Sequence, residues 1–271
     1  MIYIGIDPSL ESSAMFMFDS ESCLYAYHSF FVTHDGKIGP KRTRVMKELS
    51  DCGVHIHTFI DLVDRMKVKN ARAQSEINTK KQASAVCDAI RDILNSGAPI
   101  EDLDGVLDEA HDEDIKVYKM MAENDLCRFQ TMKIVAGSMI DEITAFCSEH
   151  SCNEVVIAIE APAYVATGSS SVDLIAGCAF VRDIPNVLKT IGMAVNNVYM
   201  LPPTSVKKHA TGRGSATKEE MCEAFTRKGP DDAFRLLVST VEAKDYKPMD
   251  DVVDAYFMVF FIAESILEQL R

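Results

Sequence analysis

The 271-residue chain lacks several features that would place it at once in a familiar class of proteins. Its longest apolar stretch, residues 252–263, is too short to cross a membrane and contains Asp254. The eight cysteines form no C-x-x-C pair, which favours free thiols in a reducing, cytoplasmic compartment over a disulfide framework. The chain starts with a pattern typical of a strand, so we expect no signal peptide.

Two further absences concern ligands. The chain has no G-x-x-x-x-G-K-[ST] loop for a nucleotide phosphate. It also lacks a positive net charge: the value is −13, which for the molecule as a whole argues against nucleic acid. The charge is segregated, however, because residues 35–82 hold 11 basic and 6 acidic side chains, residues 83–126 hold 3 and 12, and residues 201–228 hold 6 and 3. Local basic segments can still bind DNA, which responds to one face of a protein.

The first ten residues carry the most informative pattern that is present. Residues 1–6 form an apolar run typical of a strand buried on both faces, and Pro8 ends it because proline cannot donate to a ladder. Asp7 therefore stands where a central strand leaves the core. It either caps its own turn or serves as a metal ligand or catalytic acid, because a buried carboxylate is costly without a partner. Nucleases of the RNase H type begin this way, and so do ATP-binding sugar kinases and actin-like proteins.

The next segments predict an antiparallel meander and then a second acid-tipped strand. Residues 14–18 and 23–32 are expected to pair as strands beside the first one. A long amphipathic helix is predicted over residues 126–150, and it leads into the apolar strand 154–160, which ends on Glu160. Two core strands that both end on carboxylates are a stronger signal than one.

Residues 33–125 interrupt this rhythm and predict a mainly helical insertion. Helical spacing runs over residues 54–66 and 71–94, and the acidic stretch 100–114 is expected either to face solvent or to dock a protein partner. The pattern Cys52-x-x-His55-x-His57 offers zinc ligands, but without a second pair ordinary packing is the favoured interpretation.

The segment after strand 195–201 combines glycines with basic side chains. Gly212 and Gly214 allow a backbone to approach a phosphate closely. Thr217 and Glu220 have the spacing of a capping box, which places Lys218 in the first turn of a helix, where backbone amides suit an anion. The segment therefore favours phosphate binding.

The C-terminal helix is expected to begin near Met249. Asp250 and Asp251 would be ordinary acidic residues of a helix N-terminus. Asp254 lies three residues after Asp251 on the same face, and its apolar surroundings require a partner for its charge.

Taken together, these motifs resemble the RuvC family of Holliday-junction resolvases. The resemblance covers residues 1–32 and about 126–265 and rests on four ordered motifs together with a first helix. They are Gly5-Ile-Asp-Pro8, Ile159-Glu160, Val206-Lys207 with Gly212-x-Gly214 and Lys218, and Asp251-x-x-Asp254-Ala255, with the helix at residues 128–146. The sugar-kinase alternative would need a second glycine-rich loop for adenosine, which is absent from the sequence.

The resemblance implies an α/β fold, in which an RNase H-like mixed five-stranded sheet is flanked by helices. Residues 1–271 would then form one nuclease domain, interrupted by a helical insertion at about 33–125. It implies Asp7, Glu160, Asp251 and Asp254 as catalytic carboxylates that hold two Mg²⁺ ions, with Mn²⁺ able to substitute. Carboxylate oxygens suit such hard cations, and a metal pair is suited to phosphodiester hydrolysis.

The resemblance also implies how DNA would be bound. Lys207 and Lys218 would contact the scissile phosphate and the nearby backbone, and Lys208 and Arg213 would be plain phosphate contacts. Tyr164 would stack on unpaired bases at the junction centre. The predicted apolar helix 172–191, with small residues on its surface, occupies the position of the family's dimer interface and implies a homodimer.

Three functions remain open at this stage. The leading one is a Mg²⁺-dependent endonuclease that resolves four-way DNA junctions in recombination and repair. The second is a related nuclease that debranches flaps, three-way junctions or replication intermediates. The third is a DNA-binding module without catalysis, which would have no need of four converging acids.

Overall fold

The structure of the protein, a computed structural model, describes residues 1–33, 38–60, 127–161, 178–241 and 247–269. The chain divides into two compact units. The first comprises Met1–Ile60 and Thr131–Arg271, and the second comprises Asp61–Gln130, of which only residues 127–130 are described and are helical. The predicted helix 71–94, the acidic stretch 100–114 and Tyr164 lie outside the described residues. The predicted division into one nuclease domain with an insertion stays a prediction.

The first unit is built on a mixed sheet of six strands in the order β4-β3-β2-β1-β5-β6. The strands are β1 (Ile2–Asp7), β2 (Ser12–Asp19), β3 (Tyr25–Thr33), β4 (Val54–Ile60), β5 (Glu154–Glu160) and β6 (Ala194–Leu201). The first three are antiparallel neighbours, and β5 runs parallel to both β1 and β6. The predicted α/β architecture, a mixed sheet flanked by helices in which an antiparallel meander leads into parallel strands, is confirmed.

The expected count of five strands is wrong, because the sheet has a sixth. Residues 54–60, expected to start a helix, form the edge strand β4 parallel to β3. Its side chains alternate between the two faces of the sheet, with Val54 on one and Phe59 on the other. The insertion is thus not purely helical where the structure describes it, since one helix and one strand span residues 40–60.

Helices cover both faces of the sheet. Those in the described residues are α1 (Pro40–Asp51), α2 (127–149), α3 (Ala179–Arg182), α4 (Ile184–Thr190), α5 (Pro203–Thr211), α6 (Lys218–Lys228), α7 (Asp232–Thr240) and α8 (Met249–Gln269). No helix among the described residues is long and apolar enough to span a membrane.

The alternation of side chains along the strands creates two separate apolar cores. On one face, Phe16 and Tyr27 pack with Tyr256 of α8 in a core that also receives α1, α5, α6 and α7. On the other face, Ile4 and Phe30 pack with α2, α3 and α4. We refer to these as the α8 face and the α2 face. The period of two along a strand fixes which face each side chain joins.

The predicted helix 172–191 is broken where it is described. Residues 179–182 form α3 and residues 184–190 form α4, with Asp183 between them. Pro185 lacks a backbone N–H and therefore cannot continue the hydrogen-bond ladder of α3. Residues 172–177, which carry most of the small side chains, lie outside the described residues.

Candidate active site

The first two candidate carboxylates are brought together by strand pairing. Strands β1 and β5 are parallel neighbours with Ile6 opposite Ile159, so Asp7 and Glu160 follow at the same end of adjacent strands. Asp7 is only 6% exposed. The two carboxyl groups lie within hydrogen-bonding reach of each other, and the contact raises the pKa of Asp7 and works to lower that of Glu160.

The other two candidates arrive on α8, which packs across β1 and β2. The close approach depends on Gly5, because a Cβ there would stand 2.2 Å from the carbonyl oxygen of Ala255. Only glycine lets the helix backbone lie this near the strand. The first turns of α8, which carry Asp251 and Asp254, are thereby placed beside Asp7.

The four carboxylates interact through space. Desolvation is the largest cause of the raised pKa of Asp7, and the charges of Glu160, Asp251 and Asp254 raise it further. Desolvation likewise leads the causes that raise the pKa of Asp254, followed by Glu160 and Asp251. Mutual influence of this kind requires the four groups to share one low-dielectric region. Strongly raised carboxyl pKa values are typical of functional sites.

Asp251 and its neighbour Asp250 are both buried, with 5% and 3% exposure. Burial and the charge of Asp250 raise the pKa of Asp251 to about 7, against the opposing effect of Lys247, whose Nζ lies 3.4 Å from Asp251 Oδ1. Asp250 forms an ion pair with Lys218. The expected place of Asp250 in the first turn of the C-terminal helix is confirmed, and the structure adds that its carboxylate is buried there.

The predicted capping box at the start of α6 is confirmed. The Thr217 hydroxyl accepts from the Glu220 N–H at 3.3 Å, and the Thr217 N–H donates to the Glu220 carboxylate at 2.8 Å. Lys218 is consequently the first residue of α6. Partial burial works to lower its pKa, but the bond to Asp250 and the charges of Asp251 and Asp254 raise the pKa above its ordinary value.

Lys207 lies on α5. This helix begins directly after β6, at the same end of the strands as Glu160. It lines a small crevice together with Glu160 and Asp254. Its charge works to lower the pKa of Glu160, although burial dominates and the pKa is raised. The structure therefore brings Lys207 and Lys218 to the four carboxylates.

The structure does not show the remaining predicted DNA contacts beside the four carboxylates. Lys208 is exposed on α5. Arg213 lies in the turn after α5, pairs with Glu220 and is well exposed. The turn uses Gly212 at φ +86°, the left-handed conformation that ends α5 and that glycine adopts without strain. Tyr164 lies outside the described residues, so its role stays a prediction.

The oxygen atoms at this site fit a hard divalent cation. Asp250 Oδ1 and Asp251 Oδ2 are buried without a hydrogen-bond partner within the protein. Two orphaned carboxylate oxygens beside further buried acids are costly unless a cation neutralises them. A more tightly spaced group of potential ligands lies elsewhere in the molecule. Within the described ranges, the one group of three ligand atoms that all lie within 4.8 Å of one another is formed by His28, His57 and Glu142.

Sequence reasoning missed two residues that belong to the site. Asp250 was interpreted only as a charge at a helix N-terminus, because acidic residues are common at helix starts, and the structure shows that it is buried. Arg182, at the end of α3, lies close enough to Glu160 for its charge to oppose the burial that raises the pKa of Glu160. No local pattern signals Arg182, because α3 and β5 are separate elements that only the fold brings together.

Comparisons with known proteins give a limited result. Neither a protein-family model nor a curated protein sequence matches the chain. The solved structure of RuvC from Thermus thermophilus is similar at 12% identity over 98% of this chain and 96% of that chain, with a TM-score of 0.38. The structure of T. thermophilus RuvC in complex with a Holliday junction substrate is similar at 12% identity over 97% and 94%, with a TM-score of 0.39. A likeness this weak specifies neither reaction nor substrate.

Proposed function

We propose that the protein is a metal-dependent endonuclease that resolves four-way DNA junctions by phosphodiester hydrolysis. The observation that carries the proposal is the meeting of Asp7, Glu160, Asp251 and Asp254, from two strand ends and one helix, in one mutually repulsive cluster of buried and half-buried acids. Maintaining such a cluster costs stability, because burial and like charges both oppose ionisation. A cation-binding reaction centre accounts for that cost.

In this proposal the four carboxylates hold two Mg²⁺ ions, and Mn²⁺ can replace them. When bound, the ions would neutralise charge on the scissile phosphate and make the attacking water more acidic. Lys218 and Lys207, which both lie beside the carboxylates, donate hydrogen bonds to phosphate oxygens. Asp250 holds the Lys218 ammonium in place through their ion pair.

The DNA backbone is proposed to approach along the turn between α5 and α6. Lys208, Arg213 and the N-terminal turn of α6 would contact neighbouring phosphates, since a helix N-terminus with an added lysine attracts anions. Such contacts fix the position of the duplex and carry no sequence information.

Selectivity for four-way junctions is proposed to require a homodimer, which would present two such sites to opposite strands. The dimer contact would involve residues 172–191, of which α3 and α4 are described. Sedimentation equilibrium of the full chain tests this part, because a monomer at micromolar concentration with and without junction DNA would contradict it.

The test of the reaction is a cleavage assay on a matched set of DNAs. Labelled four-way, three-way, flap and linear duplexes of the same arm sequences are incubated with the protein in Mg²⁺. We expect symmetric nicks in the four-way junction, abolished in Asp7→Asn and Glu160→Gln while junction binding persists. Glu154→Gln is the control, because Glu154 is exposed at the opposite end of β5 and its loss should leave cleavage unchanged.

The outcomes separate the competing functions. Preferential cutting of flaps or three-way junctions would favour the debranching nuclease. Junction binding without any cutting would favour a non-catalytic module. Equal cutting of linear duplex would contradict junction selectivity.

A further inference from the structure

A second group of potential metal ligands lies at the β3–β4 edge of the sheet. His28 of β3 and His57 of β4 approach each other, with His28 Nδ1 3.2 Å from His57 Nε2. Glu142 of α2 faces both rings: its Oε2 lies 3.8 Å from His28 Nδ1 and its Oε1 lies 3.7 Å from His57 Nε2. Three different elements therefore converge on one point.

These spacings match those around a small tetrahedral cation. Zinc bonds to histidine nitrogen and carboxylate oxygen are about 2.0–2.2 Å long. Two such bonds at a tetrahedral angle hold their ligand atoms roughly 3.4 Å apart. The observed separations of 3.2, 3.7 and 3.8 Å bracket that value.

Hydrogen bonding alone accounts for the cluster less well. The contact between the two rings can be one hydrogen bond, in which one ring donates and the other accepts. The Glu142 oxygens, at 3.7 and 3.8 Å, are beyond hydrogen-bond distance from either ring nitrogen. A carboxylate aimed at two imidazoles without bonding to either is explained by an ion placed between them.

The surroundings favour neutral imidazole rings, the form that binds metal. His28 is 2% exposed, and desolvation lowers its pKa to about 3, with smaller effects from His55 and His57. His55 stacks on His28 with ring centroids 4.7 Å apart, and Phe30 stacks on His57 at 4.6 Å. These stacks hold both ring planes in fixed orientations.

The cluster is separate from the carboxylate site. Side chains alternate along β3, so His28 points to the α2 face together with Phe30, whereas Asp251 and Asp254 belong to α8 on the opposite face. His28 pairs with Met15, which pairs with Ile6, so its backbone is two strand spacings, about 10 Å, from β1.

We propose that His28, His57 and Glu142 form a binding site for a divalent transition-metal ion, Zn²⁺ being the ion that two imidazole nitrogens and one carboxylate suit best. A water molecule completes the tetrahedron, because His57 and Glu142 are 22% and 32% exposed and leave access from solvent. The ion would fasten the edge strand β4 to β3 and α2. The proposal is independent of the nuclease function.

The experiment measures Zn²⁺ binding to the full chain after removal of metals with a chelator. Titration against a chromophoric competitor is done in excess Mg²⁺, so that the carboxylates on the α8 face are occupied. We expect one saturable Zn²⁺ site and an increase in Tm on the order of 5 °C at saturating Zn²⁺. Co²⁺ in place of Zn²⁺ should show visible bands of a tetrahedral site without thiolate charge transfer, which excludes the cysteines as ligands.

Variants assign the site to its residues. His57→Ala and Glu142→Gln change partly exposed side chains, and each should weaken Zn²⁺ binding by at least about 100-fold, since losing even an outer partner of a metal ligand typically costs 10–100-fold. His209→Ala is the control, because His209 lies on α5, a helix of the opposite face of the sheet, and the Kd of this variant should stay within about threefold of wild type. Absence of a saturable site, thiolate bands with Co²⁺, or equal affinity in wild type and both ligand variants would each overturn the proposal.

Discussion

At the scale of one residue, Asp251 shows how much folding stability the proposed active site sacrifices. Its pKa is about 7 in the folded protein against an ordinary value of 3.8. Between these two pH values the unfolded chain has lost the proton and the folded chain keeps it. The folded state then binds more protons, so the contribution of Asp251 to stability falls as pH rises from about 4 to about 7.

We therefore expect Asp251→Asn to be more stable than wild type at pH 7 when divalent ions are chelated. The difference should be on the order of 2 kcal/mol, because each unit of pKa shift corresponds to about 1.4 kcal/mol and the Asn loses the pairing with Lys247. Urea unfolding in EDTA between pH 4.5 and 8 measures it. The difference in unfolding free energy between the two proteins should shrink towards pH 4.5. Added Mg²⁺ should raise the unfolding free energy of wild type more than that of the variant. Parallel stability profiles for the two proteins would contradict this account.

Lys218 and Asp250 offer a second test at the residue scale. Their ion pair holds an otherwise exposed lysine against the carboxylate cluster. If Asp250 acts by positioning Lys218, then Asp250→Asn and Lys218→Gln should each lower the cleavage rate by roughly tenfold or more, and the double variant should be no worse than the poorer single one.

The control for this pair is Lys133→Gln, which removes an exposed lysine from α2 on the other face of the sheet. It should leave the rate unchanged. Additive losses in the double variant would show that Asp250 and Lys218 act separately, and Asp250 would then be a metal ligand or a structural acid in its own right.

At the scale of elements, the position of α8 depends on the absence of a side chain at Gly5. The Gly5→Ala variant places a methyl group 2.2 Å from the backbone oxygen of Ala255, where no flexible side chain can move aside. We expect a loss of about 3 kcal/mol in unfolding free energy, at the upper end for overpacking, together with loss of cleavage as α8 shifts. Urea unfolding and the four-way junction assay measure the two effects.

Gly137→Ala is the matched substitution for Gly5→Ala. Gly137 lies within α2, and a Cβ there meets nothing within 4 Å. Alanine favours a helix interior over glycine, so this variant should gain about 0.5–1 kcal/mol and cleave normally. If Gly5→Ala behaved like Gly137→Ala, close packing of α8 on β1 would not be what aligns the acids.

The elements that the sequence predicted well are those whose patterns are local. The apolar runs at residues 1–6 and 154–160, the meander between them and the capping box at Thr217 all follow from periodicity and side-chain chemistry within a few residues. Strand β4 was missed because the sequence Val54–Ile60 is too short to separate a strand period from a helical one. Its pairing with β3 supplies what the local pattern lacks.

Tertiary placement limited the prediction of both candidate sites. Nothing near Asp250 in sequence indicates its burial, and nothing near His28 indicates that it meets His57 and Glu142. The pattern Cys52-x-x-His55-x-His57, for which ordinary packing was the favoured interpretation, contributes only His57 to the cluster. The other two residues come from β3 and α2. Ligands that come from separate elements become visible only when the register of the strands is known.

On the scale of the whole molecule, an acidic protein must present a basic surface to bind DNA. The segment at the start of α1 is a candidate, with Lys41, Arg42, Arg44 and Lys47 on a helix that packs on the α8 face. Arg42 lies 3.9 Å from Glu11 and 5.2 Å from the Phe31 ring centroid. Glu11 adjoins Ser12, which lies close enough to Asp251 to influence its pKa. The basic end of α1 is therefore at the same edge of the sheet as the carboxylates.

Replacing these four basic residues with glutamine should weaken junction binding and reduce its dependence on salt. Four phosphate contacts would change the slope of log K against log salt by about 3.6, at about 0.9 per contact. Arg42 and Arg44 already pair with Glu11 and Glu48, the latter at 2.8 Å, so part of their charge is neutralised within the protein. We therefore expect a change nearer to 2. Fluorescence anisotropy from 50 to 300 mM salt measures it, with Lys133→Gln as the control for loss of a distant charge. A slope unchanged from wild type would place the DNA path on α5 and α6 alone, because the basic residues of α1 would then release no counterions on binding.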